Sequence, residues 1–415
     1  MTLNTTTFEA ALKVHYTDDR IKNLVYKNNP FLAIVPKMEA FGGRNLPIPI
    51  QYGVPQSRSA DFVTARLART TNSSQFKEFV LTRVKDYCIA TIDAETMEAS
   101  IGNPNAFMEA AASEIDAAIH SCTRSLATAL YRDGSGVLGT GGAFGAGALG
   151  ADQFALATAD DVVNLEVGMT IDFVLVAGPA VAGAPRRIDG LDRDSGVVTM
   201  AAGTGGVWAG LGWGNALVST DQIVCEGDFN LKVSGLQAWV PDAAPGAAAF
   251  FGVDRTADTT RLGGVRFDNA AAALGKRAAL IRATARLARE GGMPTHCFMN
   301  HGDYAALLEE MNDKVDYAEV AAYERGDISF AGCLLHTPTG SIRVIPDHNC
   351  PMGNVYVLQM DTWKLYSLGG APKILQADGM RVLRETDSDG IQVRVGYYAQ
   401  MGCRAPGYNL VITGF

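Results

Sequence analysis

Three groupings in the sequence bring reactive side chains close enough to suggest chemistry. His296, Cys297 and His301 fall within six residues, and His and Cys are the donors that hold a transition metal. The same spacing suits a buried strand end feeding a capped helix, and that reading accounts for all three. Asp387, Asp389 and Gly390 open like a calcium loop, but the twelve-residue ligand pattern does not continue, so a hairpin turn is expected. Gly275-Lys276 has Ala270 where a phosphate-binding loop needs its first glycine. His120 and Cys122 fall on a helical pattern, and Tyr397 and Tyr398 on an alternating strand, which are packing positions. Neither G-x-S-x-G nor H-E-x-x-H occurs. The seven cysteines are scattered without a C-x-x-C pair, as buried free thiols are and disulfide frames or zinc sites are not. The sequence predicts no catalytic residue, no cofactor and no metal.

Such residues take their meaning from the elements that carry them, and the longest of these is a predicted helix from Asn103 to Asp133. Asn103 is its expected cap and Pro104 its first residue, where a missing N–H costs nothing. Met108, Ala111, Ile115, Ala118, Cys122, Leu126 and Ala129 recur at three-four spacing as one apolar stripe. Early acids (Glu109, Glu114, Asp116) and late arginines (Arg124, Arg132) match the helix dipole. A rod of about 45 Å with so narrow a stripe needs a sheet beneath it.

Before that helix, short helical pieces are expected at Phe8–Val14 and Asp18–Val25, with Asn28–Phe31 turning the chain. A long two-stranded excursion follows: Arg44–Gln51 and Phe76–Ile92 alternate, and Tyr52–Ser74 between them is polar with little that could form a core. Pro47, Pro49 and Pro55 restrict the pairing to an edge or open ribbon. A hairpin this long does not stabilise itself in water, so it must lie on something, and a neighbouring subunit is the evident support.

After the helix, Val137–Asp152 reads as a Gly/Ala-rich linker. Residues 153–230 read as short strands with tight turns (Met169–Val176, Arg186–Leu191, Val197–Met200, Leu217–Glu226), a small β-barrel or sandwich inserted in the main fold. Val233–Val240 and Pro241–Ala249 lead out. A second helix is expected over Asp268–Glu290, with Ala271, Leu274, Ala278, Ile281, Ala285 and Leu287 or Ala288 inward. Cys297–Met299 is a buried strand, and Asn300 caps a helix over Gly302–Met311 with Asp303 completing a variant capping box. Strands resume at Ile328–Leu335, Ser341–Ile345, Val355–Met360 and Ile391–Tyr397. The C-terminal half is α+β.

At 415 residues, 47% of them apolar, the chain suffices for two or three cored domains, yet no run reaches the ~20 apolar residues of a membrane span. The start, MTLNTTTFEAALKVHY, lacks a secretion pattern, so a cytosolic chain is expected. The net charge of −9 is unevenly spread. Residues 1–85 hold twelve Lys/Arg against six acids, a surplus of six, which leaves −15 on the remainder. A basic arm on an acidic body binds nucleic acid or the acidic body of another copy.

This order of parts resembles the major capsid proteins of tailed bacteriophages, the Hong Kong 97 type fold. Stretches carrying the resemblance are Phe251–Arg255 before Arg261–Gly264, Gly291–Pro294, Leu358–Tyr366 and Arg394–Gly402. It spans nearly the whole chain except roughly residues 138–230. It implies an α+β capsid fold with an N-terminal arm (1–40), an extended β-hairpin loop (41–92), a spine helix of the peripheral domain (93–137), a β-rich insertion domain (138–232) and the remaining peripheral and axial domains (233–415). It implies self-assembly into hexamers and pentamers of an icosahedral virion shell, built in the host bacterial cytoplasm and enclosing double-stranded DNA without sequence-specific binding or a membrane. No long acidic or coiled-coil leader precedes the arm, so a separate scaffolding protein is implied, with a portal and a decoration protein as further partners. Arg44, Arg58, Arg66, Arg69 and Lys77 are the expected intersubunit contacts. Lys77 is also the candidate donor for a lysine–asparagine cross-link found in some relatives, but no partner residue is assignable and none is predicted. The alternatives are an encapsulin-like bacterial compartment, a β-rich carbohydrate-binding surface protein, which should show a secretion signal, and a hydrolase, which should show a nucleophile or metal constellation.

Overall fold

The computed structural model describes residues 29–68, 73–93, 104–144, 149, 152–176, 185–201, 220–311, 317–321, 329–376, 383–384 and 390–415. The expected pieces at Phe8–Val14 and Asp18–Val25, the Asn103 cap, Arg69 and the Asp387–Asp389 turn lie outside these residues, as do the side chains of Met108 and Ala111.

Where a turn was expected at Asn28–Phe31, the chain instead starts a short helix, α1 (Pro30–Ile34), with proline at its first position. A buried polar knot fastens it to the body: the Asp347 carboxylate accepts from Phe31 N at 3.3 Å and Tyr131 Oη at 2.9 Å. Strand β1 (Lys37–Met38) leads to β2 (Asn45–Gly53), a short helix α2 (Phe62–Ala68), and β3 (Gln75–Thr82). The alternation from Phe76 to Ile92 is not one strand. It breaks at Arg83, and β4 (Val84–Asp93) leaves the hairpin to pair along its full length with β20 (Gly390–Cys403). The buried phase shifts there by one residue, from odd positions in β3 (Phe79, Leu81) to even ones in β4 (Ala90, Ile92).

The long helix, α3, spans Pro104–Ala129, shorter at its end than the expected Asp133. Ile115, Ala118, Cys122, Leu126 and Ala129 are all buried as the stripe requires, and Ile119, Thr123 and Ala127 widen it. It lies on the central sheet, where β17 (Trp363–Ser367) and β18 (Lys373–Ile374) flank β20 opposite β4, with β19 (Leu383–Arg384) and β1 completing it.

Beyond α3 the chain closes a barrel: β5 (Val137–Phe144), β6 (Gln153–Leu156), β7 (Thr170–Val174), β8 (Arg186–Asp192), β9 (Val197–Met200) and β10 (Gln222–Cys225), in the order β10-β5-β6-β9-β8-β7. The expected linker over Val137–Asp152 therefore contains the first barrel strand. Phe154, Ile171, Phe173, Ile188, Val198 and Ile223 fill a core separate from the rest of the molecule. The turn at Arg193–Gly196 joins β8 to β9, as the sequence predicts.

The remainder forms a seven-stranded mixed sheet in the order β11-β21-β16-β12-β15-β14-β13. Its strands are β11 (Val265–Asp268), β12 (His296–Met299), β13 (Tyr317–Ala321), β14 (Ser329–Thr337), β15 (Gly340–Pro346), β16 (Asn354–Leu358) and β21 (Leu410–Thr413). Val233–Val240 holds a short helix, α4 (Leu236–Trp239). The helix expected over Asp268–Glu290 is two, α5 (Asn269–Ala272) and α6 (Lys276–Arg289), parted at Ala273, which adopts a left-handed backbone with φ 48°. The break shifts the buried face of α6 to Ala279, Leu280, Ala283, Thr284 and Leu287, so of the expected inward positions only Leu287 is buried. The last helix, α7 (His301–Met311), has Gly302 N donating to Asn300 Oδ1 at 3.0 Å. Asp303 does not close a capping box: its carboxylate accepts from Lys276 Nζ at 3.0 Å and Gly353 N at 2.8 Å, tying α7 to α6.

Candidate assembly surface

The residues first considered for chemistry are dispersed by the fold. Cys297 is buried inside β12 with its thiol pushed upward by burial, while His301 opens α7 on the surface. His296 stacks on Phe298, and burial together with the nearby Arg343 lowers its ring to about 4. Among the described residues no three His, Cys, Asp or Glu gather where they could hold a metal. Cys122 is buried under α3 and Tyr397 in β20. No helix among the described residues is long and apolar enough to cross a membrane.

What stands out instead is the hairpin β2–β3 and the contrast between its two ends. Leu46 faces Leu81 and Ile48 faces Phe79 across the ladder, and Ile48, Ile50, Phe79 and Leu81 are buried. Phe79 meets Trp239 with ring centroids 5.0 Å apart and Phe250 at 6.2 Å. Val80 N donates to Phe251 O at 3.0 Å, on the side away from β2. Pro47 sits opposite Val80 and Pro49 opposite Glu78, positions whose own N–H would point out of the ladder, which is why the ribbon tolerates both prolines. Arg83 adds a bond from Nη1 to Phe41 O and lies over the Phe41 ring. The root of the hairpin thus rests on its own chain, where a neighbouring subunit was expected to support it.

The tip does not. The stretch expected to be polar and irregular carries α2, capped by Asp61, whose carboxylate accepts from Thr64 N at 2.8 Å and Thr64 Oγ1 at 2.7 Å. These two bonds hold the Asp61 carboxyl below its ordinary value. Not one residue of α2 is buried. Phe62 is 78% exposed and Leu67 67%, and Val54, Val63 and Phe76 are exposed with them. Seven-residue helices are marginal in water without tertiary packing, and here Phe62, Val63 and Leu67 remain largely exposed.

The predicted contact residues differ in exposure. Arg44, Arg58 and Arg66 are exposed and make no ion pair among the described residues. Arg69 lies outside them. Lys77 is half-buried on the inward face, its Nζ donating to Asp254 O at 3.2 Å. Sequence reasoning missed Phe62, Val63 and Leu67. The signal was present in Asp61 followed by Thr64 at a capping interval, but flanking Pro55 and the Thr-Asn-Ser run read as loop.

Ion pairs join the barrel and the segments at its two ends to α3 and β4. Arg124 meets Glu166, Arg132 Nη2 lies 3.0 Å from Asp161, and Lys232 Nζ lies 2.7 Å from Asp86 and 3.0 Å from Asp228. Between barrel, α3 and β4 runs a cleft of about 790 Å³.

Compared with solved structures, the chain is similar to a chain of the cyanophage A-1(L) capsid asymmetric unit, with a TM-score of 0.50 and 12% identity over 94% of this chain and 93% of that one. It also matches, at a TM-score of 0.41 and 8% identity, the capsid of the native GTA particle over 92% of this chain and 89% of that one. The holo-SrpI encapsulin complex from Synechococcus elongatus PCC 7942 matches at a TM-score of 0.40 and 10% identity, over 98% and 94%. No protein-family model and no curated protein matches the sequence. The cyanophage match extends through almost the whole of both chains, so the fold is the tailed-phage capsid fold that the sequence resemblance implied.

Proposed function

We propose that this chain is a major capsid protein, whose copies close into hexamers and pentamers of an icosahedral phage head around double-stranded DNA. The observation that carries the reading is α2: a capped helix on a long ribbon with Phe62 and Leu67 facing solvent, on a chain with a capsid fold. Burying each such side chain contributes roughly 1.5–3 kcal/mol, and a neighbouring copy is the surface always at hand in a shell. In this reading residues 1–40 are the arm and 93–137 the spine helix. Residues 138–232 are an inserted domain and 233–415 the remaining peripheral and axial domains. The extended loop of 41–92 ends in function at Arg83, since β4 belongs to the central sheet. Arg44, Arg58, Arg66 and Arg69 serve as contacts to acidic surfaces of adjacent copies, and Lys77 braces the loop root. A separate scaffold, a portal and a decoration protein are the further partners, and DNA is held without sequence preference.

Negative-stain micrographs of the purified chain, alone and with its scaffold, test the reading. Closed, uniform shells are expected, and a chain that stays monomeric in both conditions would refute it. Shells from infected cells filled with enzyme cargo instead of DNA would assign the chain to the compartment class.

A further inference from the structure

The central sheet has a second face, turned away from α3. Facing pairs across β4, β20 and β18 fix which side chains share it: Lys85 with Tyr398, Tyr87 with Gly396 and Lys373, and Thr91 with Gln392. Ile89 pairs with Arg394 between these rows. The alternate residues, Ala90, Ile92, Val393, Val395 and Tyr397, are buried beneath them. On the open face Ile89 is 52% exposed and Tyr87 46%, and Lys85 and Arg394 are exposed.

Among the described side chains these rows carry three cations, and Asp93, opposite Gly390, is the next position of β4 in the same alternation. Among the described residues, hydrogen bonds and a ring contact hold these cations. Arg394 donates to Gln392 Oε1 from Nε at 3.2 Å and Nη2 at 3.0 Å. Lys373 Nζ donates to Leu368 O at 2.9 Å, and Lys85 Nζ lies 5.9 Å from the Tyr87 ring centroid. Tyr87 and Tyr398 meet edge to face at 6.0 Å with their hydroxyls 3.3 Å apart. A Cβ at Gly396 would stand 3.1 Å from Tyr87 and 3.2 Å from Leu375, so the glycine lets both side chains close over it. The result is an ordered platform, cationic with an aromatic and aliphatic centre, and pre-organised faces lose little entropy on binding.

The complementary surface is on the same chain. Residues 137–226 hold ten acids against three arginines, seven of the nine net negative charges. At one end of the barrel Gly196 packs against Ala159, which brings the turn carrying Asp192 and Asp194 beside the short 3-10 helix carrying Asp160 and Val163. All four side chains are exposed. Resting on the capsid reading, we infer that the open face of the central sheet docks the acidic barrel end of a neighbouring copy. Such a head-to-tail contact joins two different surfaces of one chain, and contacts of that kind propagate into rings. Charges on both sides set register and rate of encounter, and Tyr87 and Ile89 meet Val163 at the centre.

Charge reversal tests the pairing on the full chain. Lys85→Glu with Arg394→Glu should cut the assembled fraction at least tenfold, as should Asp160→Lys with Asp194→Lys. All four changes in one chain should restore shells. In a separate chain, Ile89→Cys with Val163→Cys should give disulfide-linked multimers on oxidation of the shells, which either single change should not. Normal assembly of either reversed pair, or failure of the four-fold variant to recover while still folded, overturns the inference. So does a sheet-face variant that assembles fully but retains less DNA, since the platform would then be a nucleic-acid surface. A wild-type chain that forms no particles would instead refute the capsid reading itself.

Discussion

The barrel and the hairpin tip are the two most independent parts of the molecule, and they solve the same problem in opposite ways. The barrel closes its sheet on itself and seals Phe154, Phe173, Ile188 and Val198 inside, so no strand edge is left over. The tip spends its capping on Asp61 and Thr64 and leaves Phe62 and Leu67 in water. One region holds its stability within the chain, and the other holds it in reserve for a contact. The hairpin root shows that the reserve is specific to the tip, because Phe79 on the same ribbon is sealed against Trp239.

The sharpest way to break the comparison is to cut the two regions out. Residues 137–226 expressed alone should unfold cooperatively on heating, monitored by circular dichroism, whereas residues 45–82 alone should show random-coil spectra. A cooperative hairpin or an unfolded barrel fragment would erase the contrast. Next in size are two phenylalanines on one ribbon. Phe79→Ala should cost about 3–5 kcal/mol of chain stability in urea titrations, while Phe62→Ser should change it by no more than ~0.5 kcal/mol yet abolish shells under the microscope. Equal stability losses would place both residues in one core.

Smaller effects belong to charge. Reversing Arg58, Arg66 and Arg69 to Glu should impair assembly in nuclease-treated protein. Each exposed pair contributes only ~0–1 kcal/mol, so the defect should depend on added salt. Normal shells that fail only in packaging would make these arginines DNA contacts. The smallest effect is acid. Thr64 holds the Asp61 carboxyl below its ordinary 3.8, so its contribution is complete above that value and is lost as pH falls through the lower folded value. Asp161 in the barrel runs the other way: burial raises it against the pull of Arg132, and protonation relieves that burial cost. Backbone amide shifts should therefore report acid loosening at residues 61–68 and not at the barrel 3-10 helix, and Asp61→Asn should remove the pH dependence.

Much of this fold was legible where one physical signal dominated. The stripe of α3 and the alternation of β20 each face a single continuous surface, so their periods survive in sequence. The break at Ala273 was not legible, because the loop around it is closed by Asn269, whose Nδ2 donates to nearby Leu274 O and to Gly414 O at the far end of the chain, both at 3.2 Å. Strand β5 hid in its glycines, which are small because the barrel wall is tight; a Cβ at Gly142 would lie 2.8 Å from Leu156 O. The change of partner at Arg83 shows in sequence only as a one-residue slip of the alternation, from Phe79 and Leu81 to Ala90 and Ile92. Of the candidate surface, the arginines were visible as charge, while α2 was not, since its apolar residues have no core to give them a period.

The central claim, that α2 is completed by another copy, is tested most directly by hydrogen exchange at the amides of residues 62–68 in the monomer and in assembled shells. The account predicts near-complete exchange in the monomer within seconds and strong protection in shells, with the barrel amides protected in both. Equal protection of those tip amides in the two states would contradict it.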